Sequence, residues 1–190
     1  MHGFTLIETM VAVSLLSIAI VAPMQLAAQS LAGAYYARDQ ITAFYLAQEG
    51  IEAVRAVRDN NILRNSQGDN VDLLDTIPVG QDFVVDTRFS PPQTWAWTTC
   101  VTNPLKTNGS FYGYGTNPCL VNDPGWTQTY FYRTLRACFV EADGSCASAP
   151  QTDEIRLTST VTWFPGGFMQ RSVTITENLY RWVSDGSGVN

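Results

Sequence analysis

From residue 9 to residue 28 the chain reads TMVAVSLLSIAIVAPMQLAA, an uncharged run rich in Ala, Val, Ile and Leu. At about 1.5 Å of helical rise per residue, such a run spans about 30 Å, the thickness of a bilayer's hydrocarbon core. Between Phe4 and Tyr36 the only side chain expected to carry charge is Glu8, and the next is Arg38. A helix of this kind must find lipid or neighbouring apolar helices. A cleaved secretory signal would show a basic leader and a shorter apolar core before its small-residue site. Only His2 and the amino terminus precede this run, although AQSLAGA at residues 28–34 supplies small residues. A plain transmembrane anchor leaves Glu8 unexplained, because an acid within a membrane span is costly and usually has a partner.

Composition removes most catalytic chemistries. The chain has 190 residues, 45% of them hydrophobic and 15% charged, enough for one domain with a sizeable core plus an appendage and too apolar for a disordered chain. Eleven basic residues against 17 acidic give a net charge of −6, and Lys106 is the one lysine, so general nucleic-acid binding is not expected. His2 is the one histidine. Histidine-based triads and histidine-ligated metals are therefore excluded from the rest of the chain. Asp153 and Glu154 are neighbours in a strand-like stretch and would face opposite sides, so they do not form an acid/base couple. The reading is a non-enzyme with no catalytic residue, no metal ligand and no cofactor. The four cysteines, Cys100, Cys119, Cys138 and Cys146, have neither redox-motif nor zinc-knuckle spacing and point to disulfides formed outside the cytoplasm.

The stretch His2-Gly3-Phe4-Thr5-Leu6-Ile7-Glu8, opening a long apolar helix, resembles the processing site of type IV prepilins and pseudopilins. The resemblance implies cleavage by prepilin peptidase between Gly3 and Phe4, and N-methylation of the new Phe4 amine by the same enzyme. Glu8 becomes the fifth mature residue, the position the family uses for assembly. Physical chemistry agrees: a carboxylate in a low-dielectric helix bundle needs a cation, and the Phe4 amine of an adjoining subunit is the nearest one. The leader, residues 1–3, is shorter than the family's usual leader and has no Lys or Arg. Pro23, slightly earlier than the helix-kinking proline of many pilins, would loosen the helix locally. The implied partners are prepilin peptidase, other pilin or pseudopilin subunits, an inner-membrane assembly platform, and the lipid bilayer before assembly. The implied location is the inner (cytoplasmic) membrane as a single-pass protein with its N-terminus cytoplasmic, then an extracellular pilus or a periplasmic filament.

Residues 34–59 contain no proline and carry apolar residues at Phe44, Ala47, Ile51, Val54 and Val57, a stripe of threes and fours. Gln48, Glu49, Glu52, Arg55 and Asp59 lie off the stripe, while Asp39 and Arg58 lie nearer to it. Glu52 and Arg55 are spaced as a surface ion pair. One helix from about Thr5 to Asp59, about 80 Å long, is expected, with Asn60-Asn61 as its stop. Gly50 costs about 1 kcal/mol against Ala inside a helix, and close approach of a strand would account for it.

Beyond residue 60 the texture becomes β-like. Residues 65–75 are polar and turn-prone, with Asp69, Asp72 and Asp75 spaced wrongly for a calcium loop. Residues 82–89 and 94–102 read as strands, and residues 103–125, with four glycines and three prolines, read as a loop. Residues 128–141, 154–164 and 169–182 read as three longer strands, with Ile155, Leu157, Val161 and Trp163 on one face and a turn at Pro165-Gly166-Gly167. Four cysteines allow three pairings; bridges from Cys100 to Cys119 and from Cys138 to Cys146 close the shortest loops.

The expected organisation is a leader at 1–3, a hydrophobic transmembrane or filament-core helix at 4–33, the amphipathic half of that helix at 34–61, a β-rich head at 62–183 and a flexible tail at 184–190. This is an α+β, pilin-like fold: a long N-terminal helix packed on an antiparallel sheet. The aromatic-rich last hairpin further resembles minor pilins and minor pseudopilins. The functional expectation is a structural subunit of a type IV pilus-like filament, a minor pilin serving assembly, adhesion or DNA uptake. The alternatives are a minor pseudopilin of a type II secretion-like system, or an unassembled membrane-anchored domain binding sugars through Trp95, Trp97, Tyr112, Tyr114 and Trp126.

Overall fold

The computed structural model describes residues 3, 5–69, 71, 72, 74–96, 103–116, 122–147, 154–165 and 169–180. Phe4, Trp97, Cys100, Cys119, Asp153, Gly166, Gly167 and the tail lie outside the described residues, and with them the expected bridge between Cys100 and Cys119. The chain divides into two compact units, residues 1–41 and 42–190. A single helix, α1 (Leu6–Ser66), contributes to both.

The helix ends later than expected. Asn60-Asn61 does not stop it, because Asn61 is buried and its Nδ2 donates to the Asp75 carbonyl at 3.1 Å, a tertiary partner that no local rule contains. The true stop is a left-handed glycine, Gly68 at φ +100°. Its N–H donates to the Asn65 carbonyl at 3.0 Å and the Asp69 N–H to the Arg64 carbonyl at 3.1 Å, a Schellman cap. Asp69 also pairs with Arg64 at 3.2 Å.

Five strands form the main path of a six-stranded antiparallel sheet in the order β2 (Gln93–Ala96), β1 (Asp82–Asp86), β6 (Phe131–Val140), β8 (Glu154–Trp163), β9 (Arg171–Tyr180), with β7 (Cys146–Ala147) paired to β6. Period-two alternation sets the long strands: Ile155, Leu157, Val161 and Trp163 are buried, as their spacing predicts. The opposite face carries a threonine ladder, Thr158 to Thr176 at 3.3 Å and Thr160 to Thr174 at 3.1 Å. The tight turn between β6 and β7 is closed by the Cys138–Cys146 disulfide.

Residues 103–125 are more than a loop. They hold β3 (Lys106–Thr107) and β4 (Tyr112–Gly113), which join β5 (Thr127–Gln128) in a second antiparallel sheet, β4-β3-β5. β1 is buried on both faces. Its Phe83 and Val85 pack with Ile51, Val54 and Val57 of α1, whereas Val84 packs with Leu105 and Tyr114.

The helix stripe differs from expectation at one place. Phe44 is 45% exposed, and Ala43 and Leu46 are buried instead. Both choices fit the helical period. The surface they meet decides, because Phe131 and Trp163 already fill that part of the core and leave room for alanines.

Candidate functional site

The first turn of α1 is capped by its own side chains. Thr5 stands at the N-cap, its Oγ1 accepting from the Glu8 N–H at 3.4 Å, and its own N–H donates to Glu8 Oε2 at 3.5 Å. This reciprocal Thr-x-x-Glu arrangement satisfies two otherwise orphaned donors and places the carboxylate at the positive end of the helix dipole. Thr5 was legible as a capping residue from that spacing alone. Gly3 and Glu8 are exposed, and among the described residues the side chain of Glu8 bonds to Thr5.

The following turns suit a medium without water. Thr9, Ser14 and Ser17 donate their hydroxyls to the carbonyls of Leu6, Val11 and Val13, each at 2.8 Å, so these three hydroxyls are satisfied within the helix. α1 is long and apolar enough to cross a membrane, and none of its most apolar window is buried within the protein. A core helix of a water-soluble domain would be covered. Leu6, Ile7 and Met24 are all more than two-thirds exposed. The helix continues through Pro23.

Further along, α1 is clamped to the head by a buried arginine. Arg133 Nη1 donates to the Leu46 carbonyl at 3.0 Å and to Glu49 Oε2 at 2.9 Å, and its Nη2 donates to the Val85 carbonyl at 2.8 Å. Thr87 holds the other Glu49 oxygen at 2.6 Å. Gly50 makes room for this: a Cβ there would lie 3.1 Å from Ser159 Oγ, 3.2 Å from Arg133 Cδ and 3.3 Å from Leu135 Cδ2. The close approach anticipated at Gly50 comes from side chains of β6 and β8. On the outer helix face Glu52 and Arg55 pair at 2.7 Å, and Arg55 also reaches Glu177 of β9.

Residues 1–22 match the family model for the prokaryotic N-terminal methylation motif. The chain carries that motif. Comparison with curated proteins and with solved structures gives no match. The motif marks a substrate of prepilin peptidase of the type IV pilin and pseudopilin kind, and the proteins that share it are structural filament subunits. Together with an uncovered apolar helix it fits a precursor anchored in the inner membrane. The match spans Gly3, Phe4 and Glu8, whereas Pro23 lies just beyond it.

Sequence reasoning missed a buried polar network in the head. Lys106 is fully buried and its Nζ lies 3.5 Å from Asp123 Oδ2 and 3.2 Å from the Tyr114 carbonyl. Burial works to raise the Asp123 carboxyl, but bonds from the Thr116 N–H and hydroxyl and the Lys106 charge outweigh it and hold the group below the usual carboxylate range. Arg88 donates to Asp86 through two nitrogens and to the Gly115 carbonyl; the Asp86 bond raises its pKa despite burial. Burial pushes the Tyr114 phenol up to about 12. The alternating glycines in Tyr112-Gly113-Tyr114-Gly115 now have a reason. A Cβ at Gly113 would lie 2.6 Å from Arg88 Nε, and Gly115, at φ +74°, abuts the Asp123 carboxylate. Among the described residues, this network anchors the small sheet. Of the aromatics considered for surface binding, Tyr114 is 1% exposed and belongs to the core.

Proposed function

We propose that this protein is a minor pilin: a structural subunit of a type IV pilus-like filament, cut between Gly3 and Phe4, N-methylated at Phe4 and assembled through α1. The observation that carries the reading is a membrane-length helix, uncovered within its own chain, that opens with the methylation motif and bears one carboxylate at Glu8. In the membrane that face meets lipid. In a filament it meets the same face of neighbouring subunits, and the Glu8 carboxylate leaves its Thr5 cap to pair with a neighbour's Phe4 amine. Each large aliphatic side chain moved from water into such a core contributes about 1.5–3 kcal/mol, so exposed stalks do not persist in water. The partners are then prepilin peptidase, the inner-membrane assembly platform and other pilin subunits.

The test is the intact mass of the native protein in a sheared surface-filament fraction and in the membrane fraction. A species beginning at methylated Phe4 in the sheared material is expected. Processed protein confined to the membrane would instead assign it to a periplasmic pseudopilus, and an uncut chain would overturn the reading.

A further inference from the structure

We propose that the head carries a cleft for a neutral carbohydrate, one or two pyranose rings in size. A cleft of about 580 Å³ opens beside the β3–β4 hairpin, lined by Glu49, Arg88, Asn108, Phe111, Tyr112 and Trp126 among others. That volume falls in the range of small-molecule sites. The proposal concerns residues 42–190 alone and is independent of whether the stalk assembles.

Three observations choose the ligand class. The first is aromatic surface on a held backbone. Phe111 is 63% exposed, an unusual position for a large apolar ring, yet its backbone is held. The Ser110 and Phe111 N–H groups both donate to Asn108 Oδ1, at 3.0 and 2.9 Å, across a turn that Gly109 makes at φ +91°. A held backbone lowers the cost of ordering the ring, and Tyr112 lines the same cleft together with Trp126, whose ring has the Arg88 guanidinium 4.5 Å from its centroid.

The second is unspent hydrogen-bonding capacity. Arg88 uses Nε and Nη2 on Asp86 and Gly115, and among the described residues its Nη1 donates no hydrogen bond. Asn108 uses only its side-chain oxygen among the described residues, which leaves its Nδ2 donors as further capacity. The Glu49 oxygens each accept one bond, from Thr87 and Arg133, and keep acceptor capacity.

The third is charge. Arg88 is balanced by Asp86 and Glu49 by Arg133, so the wall carries no net charge to attract a phosphate or a carboxylate. A ligand that offers an apolar face to aromatic rings and several hydroxyls to scattered donors and a carboxylate, without charge of its own, is a sugar ring.

The experiment is saturation-transfer NMR on the full chain in micelles of a detergent without a sugar headgroup. The probes are lactose, cellobiose and N,N′-diacetylchitobiose, with sialyllactose as the anionic counterpart. Transfer to ring C–H protons of at least one neutral disaccharide is expected. Phe111→Ala, which removes an exposed ring, should leave the thermal midpoint unchanged and weaken binding about tenfold, the size of one lost aromatic contact. Trp126→Phe, which keeps an aromatic ring and removes the indole N–H, should weaken binding by less. No transfer to any of the three neutral sugars overturns the proposal, as do a preference for sialyllactose and undiminished binding by Phe111→Ala.

Discussion

The two halves of α1 share one backbone and follow opposite rules. Up to about residue 36 its large apolar side chains stand exposed, and the hydroxyls of Thr9, Ser14 and Ser17 are bonded to its own carbonyls. From Ala43 to Val57 the buried residues are small or aliphatic, a glycine admits a crossing arginine, and the outer face carries ion pairs. The second half is matched to surfaces of its own chain. The first half is matched to surfaces that other molecules must supply. An apolar helix is therefore not in itself evidence of a core; whether the chain covers it decides.

The comparison breaks most sharply at Arg133. Its side chain is fully buried and bonds Glu49 and two carbonyls, so Arg133→Ala should destabilise the head by about 1–3 kcal/mol for each of the buried Leu46 and Val85 carbonyls left unpaired, the 37% exposed Glu49 adding less. Denaturant unfolding of the full chain in micelles measures it. Helical content of the first half should survive.

Two glycines of the same helix sharpen the contrast. Nothing lies within 4 Å of a Cβ at Gly33, whereas a Cβ at Gly50 meets three side chains within 3.3 Å. Gly50→Val should cost about 1–3 kcal/mol by overpacking. Gly33→Ala should leave head stability within about 0.5 kcal/mol of the parent. Equal effects at the two sites, read in the same unfolding assay, would erase the distinction.

Alkaline titration tests the head alone. The Tyr114 phenol is raised from 10.0 to about 12 by burial, so the fold favours its neutral form. The associated stability is fully present below pH 10, where the unfolded phenol is still neutral, and is lost as pH rises towards 12. Tyr114→Phe should remove that step from the pH dependence of unfolding. The smallest effect belongs to the outer helix face: Glu52→Gln should change stability by less than about 0.5 kcal/mol, since the exposed pair with Arg55 is screened.

The long helix, its apolar first half and the strands β6, β8 and β9 were legible because each is governed by a local period. Elsewhere a tertiary partner overrules that period. Asn61 is held by the Asp75 carbonyl and so does not end the helix, and Ala43 replaces Phe44 because Trp163 occupies the facing space. The small sheet reads as a loop in sequence because its strands are two residues long and rest on Lys106, Asp123, Arg88 and Asp86, charges no hydropathy pattern places inside. At the N-terminus the motif singles out Glu8, and the Thr-x-x-Glu spacing carries the Thr5 cap beside it.

The central claim is that the first half of α1 is an assembly element whose carboxylate acts between subunits. It is tested most directly by Glu8→Ala expressed in place of the parent, with processed protein quantified by mass in sheared filaments and in membranes. Cleavage at Gly3 and methylation at Phe4 should proceed normally, with the variant retained in the membrane and depleted from filaments. Incorporation equal to the parent's would contradict the claim.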